Sequence, residues 1–156
     1  MKIFYIKQKF TLIRTFSKND ILAFSSLSGD RNPIHLCEDY AKKTIFKAPI
    51  CHGMISVSLF SNLMGNEITG SIYLSQNVEF LKPIYINETI EAIVQIKEYN
   101  QEKNNIILLT NVRKVESNQL AIEGEAVIKI PKSYKVFPDF EAYIKNQNNN
   151  DKYLNV

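Results

Sequence analysis

Gly53-Met54-Ile55-Ser56-Val57-Ser58-Leu59-Phe60-Ser61-Asn62-Leu63-Met64 is a run of twelve residues without a charge, followed at once by Gly65. At about three helical turns, a helix with no charged face must be surrounded by protein on most of its sides. The next segment supplies that surround. Ile72, Leu74, Val78 and Phe80 alternate with Tyr73, Ser75, Asn77 and Glu79, the period of a strand with one face buried. Similar strands are predicted at 89–98, 106–115 and 120–130. The separations 82–88, 99–105 and 116–119 suit antiparallel connections and leave no room for helical crossovers. One buried helix followed by an antiparallel sheet long enough to wrap it is an α+β domain.

Upstream, residues 10–16 are rich in β-formers and predict a first strand. A helix follows, opened by Ser17 with Asp20 three positions on, a capping-box variant, and closed by Gly29, which can take a left-handed conformation. Ile21, Phe24 and Leu27-Ser28 are its predicted inner face. A second short helix is expected over 38–44, and Gly65 is expected to stop the uncharged helix. This order of elements is that of the hot-dog fold, an antiparallel sheet wrapped around a central buried helix. Residues 1–131 are predicted as a single domain. Residues 132–156 are predicted as a tail, frayed along the polar run 146–152.

At 156 residues the chain is long enough for one core, burying roughly 70% of its unfolded surface. Nineteen basic against sixteen acidic residues give a net charge of +3, and the lysines are scattered, so the footprint of a nucleic-acid binder is missing. Only Cys37 and Cys51 occur, without metal-ligand spacing, which predicts buried free thiols, no metal site and a reducing cytoplasm. The apolar run at the N-terminus is broken by Lys2 and Lys7, too short for a signal-peptide core, and no stretch approaches the roughly 20 apolar residues of a membrane span.

Two polar clusters stand out: Gly29-Asp30-Arg31-Asn32-Pro33-Ile34-His35 and, after Pro49, Cys51-His52-Gly53-Met54. Asp30 falls just beyond a predicted helix C-terminus, where the macrodipole disfavours a carboxylate. Violations of local rules concentrate at functional sites. Either cluster alone is an ordinary turn, since Gly, Asp, Asn and Pro are the commonest turn residues. Together, a carboxylate and an imidazole across a proline-stiffened turn can hold one water, while the N–H of Gly53 at a helix N-terminus can bind a carbonyl oxygen as charge develops on it. These are the parts for adding or removing water next to a carbonyl, with either Asp30 or His35 as the base. His52 is expected to be structural, because the positive helix end disfavours imidazolium. Ser61 and Asn62 are expected to be buried and to need partners.

Ser28-Gly29-Asp30-Arg31-Asn32-Pro33-Ile34-His35, Ala48-Pro49-Ile50-Cys51-His52-Gly53-Met54, Gly70-Ser71-Ile72-Tyr73-Leu74 and Phe80-Leu81-Lys82-Pro83 resemble the MaoC-like dehydratase family, specifically its small (R)-specific enoyl-CoA hydratases. The resemblance runs from about residue 16 to 131. It implies a cytoplasmic hot-dog homodimer of fatty acid metabolism that acts on acyl thioesters of coenzyme A or acyl carrier protein without cofactor or metal. The reaction implied is reversible hydration of trans-2-enoyl thioesters to (R)-3-hydroxyacyl thioesters. The motif aspartate and histidine fall on Asp30 and His35, the oxyanion donor on Gly53, and supporting roles on Asn32 and Ser61. Two other readings fit the same fold. A hot-dog acyl-CoA thioesterase commonly carries a carboxylate on or near the central helix, and residues 53–64 have none. A non-catalytic acyl-thioester-binding subunit would be expected to lack the acid/base pair.

Overall fold

The structure, a computed structural model, describes residues 2–151. In chain order its elements are β1 (Ile3–Tyr5), β2 (Lys9–Thr15), α1 (Lys18–Ser28), α2 (Pro33–Leu36), α3 (Glu38–Ala41), α4 (Gly53–Glu67), β3 (Ile72–Phe80), β4 (Thr89–Asn100), β5 (Asn105–Lys114), β6 (Leu120–Lys129), β7 (Lys135–Phe137) and α5 (Phe140–Asp151). Five strands form one antiparallel sheet in the order β2-β4-β5-β6-β3, and β1 pairs in parallel with β7 in a separate two-stranded ribbon. The alternation read from the sequence is the cause of its two faces. Ile90, Ala92, Val94 and Ile96 of β4 and Ile106, Leu108, Thr110 and Val112 of β5 are all fully buried.

Against that face lies α4, through Ile55, Leu59, Phe60, Leu63 and Met64. This is the hot-dog arrangement of a central helix on an antiparallel sheet. Burial of so many apolar side chains, at about 25 cal/mol per Å², is the principal force holding helix and sheet together. Helix α1 begins and ends as its sequence requires. The Ser17 N–H donates to Asp20 Oδ2 at 2.8 Å, the Asp20 N–H donates back to Ser17 Oγ at 3.3 Å, and Gly29 closes the helix at φ 79°. The donors of Ser17, its backbone N–H first, hold the Asp20 carboxyl below its ordinary value.

Several expectations are corrected by the packing. Gly65 does not stop α4, which runs on to Glu67 with Ile68 as its C-cap. The helix over 38–44 is confined to Glu38–Ala41, because Thr44 Oγ1 donates to the Ala41 carbonyl and accepts from the Phe46 N–H, folding the chain into a turn. Ile21 and Phe24 do face inward, but Leu27, 86% exposed, and Ser28 do not, and the inner face of α1 adds Ser25, one turn after Ile21. On β3 the register slips between Tyr73 and Ser75. The extra residue reverses the parity, so Ile72 and Leu74 lie outward while Tyr73, Gln76 and Val78 turn inward. Cys37 is exposed, and only Cys51 is buried. The polar run predicted to fray continues α5 through Asp151; Lys152 lies outside the described residues. Among the described residues no helix is long and apolar enough to cross a membrane.

Candidate active site

Two loops are brought together where α1 and α4 meet. The first leaves α1 at Gly29 and enters α2 at Pro33. Asp30 Oδ1 accepts from the Asn32 N–H at 3.1 Å, and Asn32 Oδ1 accepts from the Ile34 N–H at 3.2 Å, two successive side-chain turns that stiffen it. Asn32 is thus the N-cap of α2. The second loop ends at His52, the N-cap of α4, and is anchored to the neighbouring segment by the Cys51 N–H, which donates to the Ile84 carbonyl at 2.8 Å.

Each imidazole gives one ring nitrogen to a backbone carbonyl, and a carbonyl only accepts. His35 Nδ1 lies 2.8 Å from the Ile50 carbonyl, so Nδ1 carries the proton and Nε2 is left free. His52 Nε2 lies 3.1 Å from the Asp30 carbonyl, so here Nε2 carries the proton, and Nδ1 is buried without a partner among the described residues. The two rings, of opposite tautomer, lie 3.9 Å apart at 31°, with Phe24 on the His52 ring at 5.1 Å. His52 is 2% exposed. Burial drives its imidazole below the ordinary value, the Asp30 carbonyl opposes the shift and His35 adds to it.

One donor atom from each of Asp30, His35 and His52 lies within 4.8 Å of the others. A water bonded at about 2.8 Å to both a carboxylate and an imidazole spans such a gap. The same three groups lie close enough to approach one cation, for which His52 could offer only Nδ1, since its Nε2 proton is engaged with the Asp30 carbonyl. The carboxylate of Asp30 is half exposed, Oδ2 standing 4.0 Å from His52 Nε2.

Beside the pair opens a cavity of about 390 Å³, with His35, His52 and Gly53 at one end and Phe46, Ile50, Phe80, Leu81, Ile84 and Ile122 among its walls. Its lining is apolar, suited to an acyl chain. Gly53 is the first residue of α4, so its N–H has no intrahelical acceptor. The ring of Phe80 closes over it: a Cβ there would stand 2.4 Å from Phe80 Cε1. Ser56, one turn further on, also lines the cavity and is fully buried, its hydroxyl without a partner among the described residues. Cys51 lines it too, but burial pushes the thiol up to about 12, so it is no nucleophile at neutral pH.

The structure therefore places His35 and Gly53 in the lining of one cavity and Asp30 beside His35, outside that lining. Ser61 and Asn62 are not gathered: both are exposed on the outer face of α4, where Asn62 Oδ1 accepts from Asn66. Three residues that the sequence reading did not place at the site do reach it. Ser25 donates to the Asp30 carbonyl at 2.6 Å, Ser56 lines the cavity, and His52 bonds to the loop that carries Asp30. For Ser25 a signal existed, its position one turn after Ile21.

The model of the MaoC like domain family matches residues 5–119. An (R)-specific enoyl-CoA hydratase of Aeromonas caviae is 38% identical over 128 residues, covering 81% of this chain and 95% of that protein. One of the same name from Rhodospirillum rubrum is 36% identical over 126 residues, covering 80% and 86%. Among solved structures, the (R)-hydratase from A. caviae involved in PHA biosynthesis superposes with a TM-score of 0.78 at 38% identity, over 81% of this chain and 96% of that one.

Proposed function

This chain belongs to the MaoC-like domain family, and on that premise we propose that it catalyses the reversible addition of water to trans-2-enoyl thioesters, forming (R)-3-hydroxyacyl thioesters of coenzyme A or acyl carrier protein. One observation carries the reading: the Asp30 carboxylate lies within 4.8 Å of the His35 imidazole, which with the helix N-terminus at Gly53 lines a largely apolar cavity. In this reading Asp30 and the free Nε2 of His35 grip one water. As its oxygen bonds to C3, the pair takes up one water proton and passes it on to C2, so that water supplies both the hydroxyl and the hydrogen and the pair ends in its starting protonation state. Meanwhile the Gly53 N–H holds the thioester oxygen as enolate charge develops, a contribution of roughly 3 kcal/mol for one well-placed donor. Both additions come from the side on which the water is held, so a single enantiomer results. No metal is needed, because the water is activated by the pair itself.

The active form is a homodimer. Supporting this, β3 is a sheet edge with Ile72 and Leu74 exposed, and the adjoining face of α4 presents Met54, Ser58, Ser61 and Asn62 without a charge. In this assembly Ser61, exposed on the outer face of α4, is covered by the partner.

Incubation with crotonyl-CoA tests the activity. Loss of enoyl absorbance, an (R)-3-hydroxy product and a rate indifferent to EDTA are expected. Release of free coenzyme A thiol without hydration, or an (S) product, would overturn the reading.

A further inference from the structure

The carbonyl of Asp30 accepts two buried donors. Ser25 Oγ reaches it at 2.6 Å from the inner face of α1, and His52 Nε2 reaches it at 3.1 Å from the N-cap of α4. Ser25 is 5% exposed and His52 2%. Asp30 itself is otherwise held only by local bonds, its N–H to Ser28 Oγ and its Oδ1 from the Asn32 N–H. Those bonds shape the turn without fixing it to the rest of the molecule. The two bonds on the carbonyl tie it to α1 and to the N-cap of α4, and the His52 ring also backs the face of His35 at 3.9 Å.

We infer that Ser25 and His52 form a clamp on the Asp30 carbonyl that sets the position of the Asp30 carboxylate against His35, which makes both of them positioning residues for the proposed hydration. The clamp rests on that proposed reaction. A misplacement of the carboxylate by a fraction of an ångström breaks the shared grip on one water, and rate responds steeply to such shifts while binding of the acyl chain and carrier does not. The clamp also requires one tautomer. With its proton on Nδ1, His52 would face the Asp30 carbonyl lone pair to lone pair, and Ser25 alone would remain. Neutral His52 with the proton on Nε2 is the form that bonds the carbonyl while its ring packs against His35.

The pattern separates two glutamine-like replacements that a merely structural histidine would not. The amide nitrogen of Gln overlies the Nε2 position of His, whereas that of Asn overlies Nδ1. His52→Gln should keep kcat within about threefold of the parent, while His52→Asn and Ser25→Ala should each lower kcat by about tenfold or more with KM changed less than about twofold. Equal loss in His52→Gln and His52→Asn, or losses expressed in KM, would overturn the clamp.

A second measurement stands apart from activity. The chain has only two histidines, His35 and His52. Nitrogen NMR of the full protein labelled in histidine should show two neutral rings of opposite tautomer, one protonated at Nδ1 and one at Nε2. Ser25→Ala should leave both tautomers in place. A single shared tautomer, or a His52 ring protonated at Nδ1, would overturn the clamp even in folded, active protein. Failure of the parent protein to hydrate crotonyl-CoA would instead overturn the proposed reaction, with the spectrum still deciding the tautomer on which the clamp depends.

Discussion

At the scale of single residues, the two imidazoles in contact divide their tasks by tautomer. His35 commits Nδ1 to the Ile50 carbonyl and leaves Nε2 for the proposed chemistry, while His52 commits Nε2 to the loop. Asp30→Asn preserves the turn, since an amide oxygen can still accept from the Asn32 N–H, but removes the carboxylate. Its crotonyl-CoA hydration rate should fall by about 100-fold or more with the melting temperature little changed, and His35→Gln should behave alike. Because both groups act on one water, the double variant should be little worse than the poorer single one. His52 also gives stability a pH dependence with a definite sign. Its folded pKa lies below the unfolded value of about 6.5, so the unfolded chain takes up the proton first as pH falls. The contribution is intact above pH about 6.5 and is lost as pH drops towards the folded value. Melting curves of the parent should show this decline below that pH, and those of His52→Gln should lack that component.

At the scale of elements, two glycines meet their neighbours at close range with opposite consequences. A Cβ on Gly124 of β6 would lie 2.0 Å from the Asn77 carbonyl oxygen of β3, and backbone in a paired strand cannot move without opening the ladder. A Cβ on Gly53 would lie 2.4 Å from the half-exposed ring of Phe80, which can swing outward. Gly124→Ala should therefore cost about 2–3 kcal/mol in urea unfolding. Gly53→Ala should cost under about 1 kcal/mol yet lower hydration by about tenfold, since the displaced ring opens the cavity beside the oxyanion donor.

At the scale of the whole molecule, the sheet is closed on neither side: the edge strand β3 carries two outward aliphatic side chains, Ile72 and Leu74, next to the uncharged outer face of α4, and the opposite edge, β2, carries Ile13. Light scattering at micromolar concentration should give twice the mass of one chain. Leu74→Lys, placing a charge on the β3 edge, should shift the mass towards a single chain without unfolding it. A parent protein that scatters as a monomer would overturn the dimer.

The local elements were determined by the sequence alone, because the forces that make them act between near neighbours. Ser17 and Asp20 cap α1 within one turn, Gly29 closes it through its own backbone freedom, and the alternation along β4 and β5 selects their buried faces. The run 53–64 reads as the central helix for the same reason, and the polar motif around Asp30 and His35 marks the proposed site through its spacing. What tertiary structure decided is whatever depends on partners distant in the chain. The bulge at Leu74 turns Ile72 outward because register is set by β6, some fifty residues on. Ser61 faces outward and Ser25 inward because the sheet covers only one side of α4 while the loop at Asp30 folds back on α1. The tautomers of His35 and His52 rest on the carbonyls of Ile50 and Asp30, fifteen and twenty-two residues away, and no reading of neighbours along the chain could have assigned them.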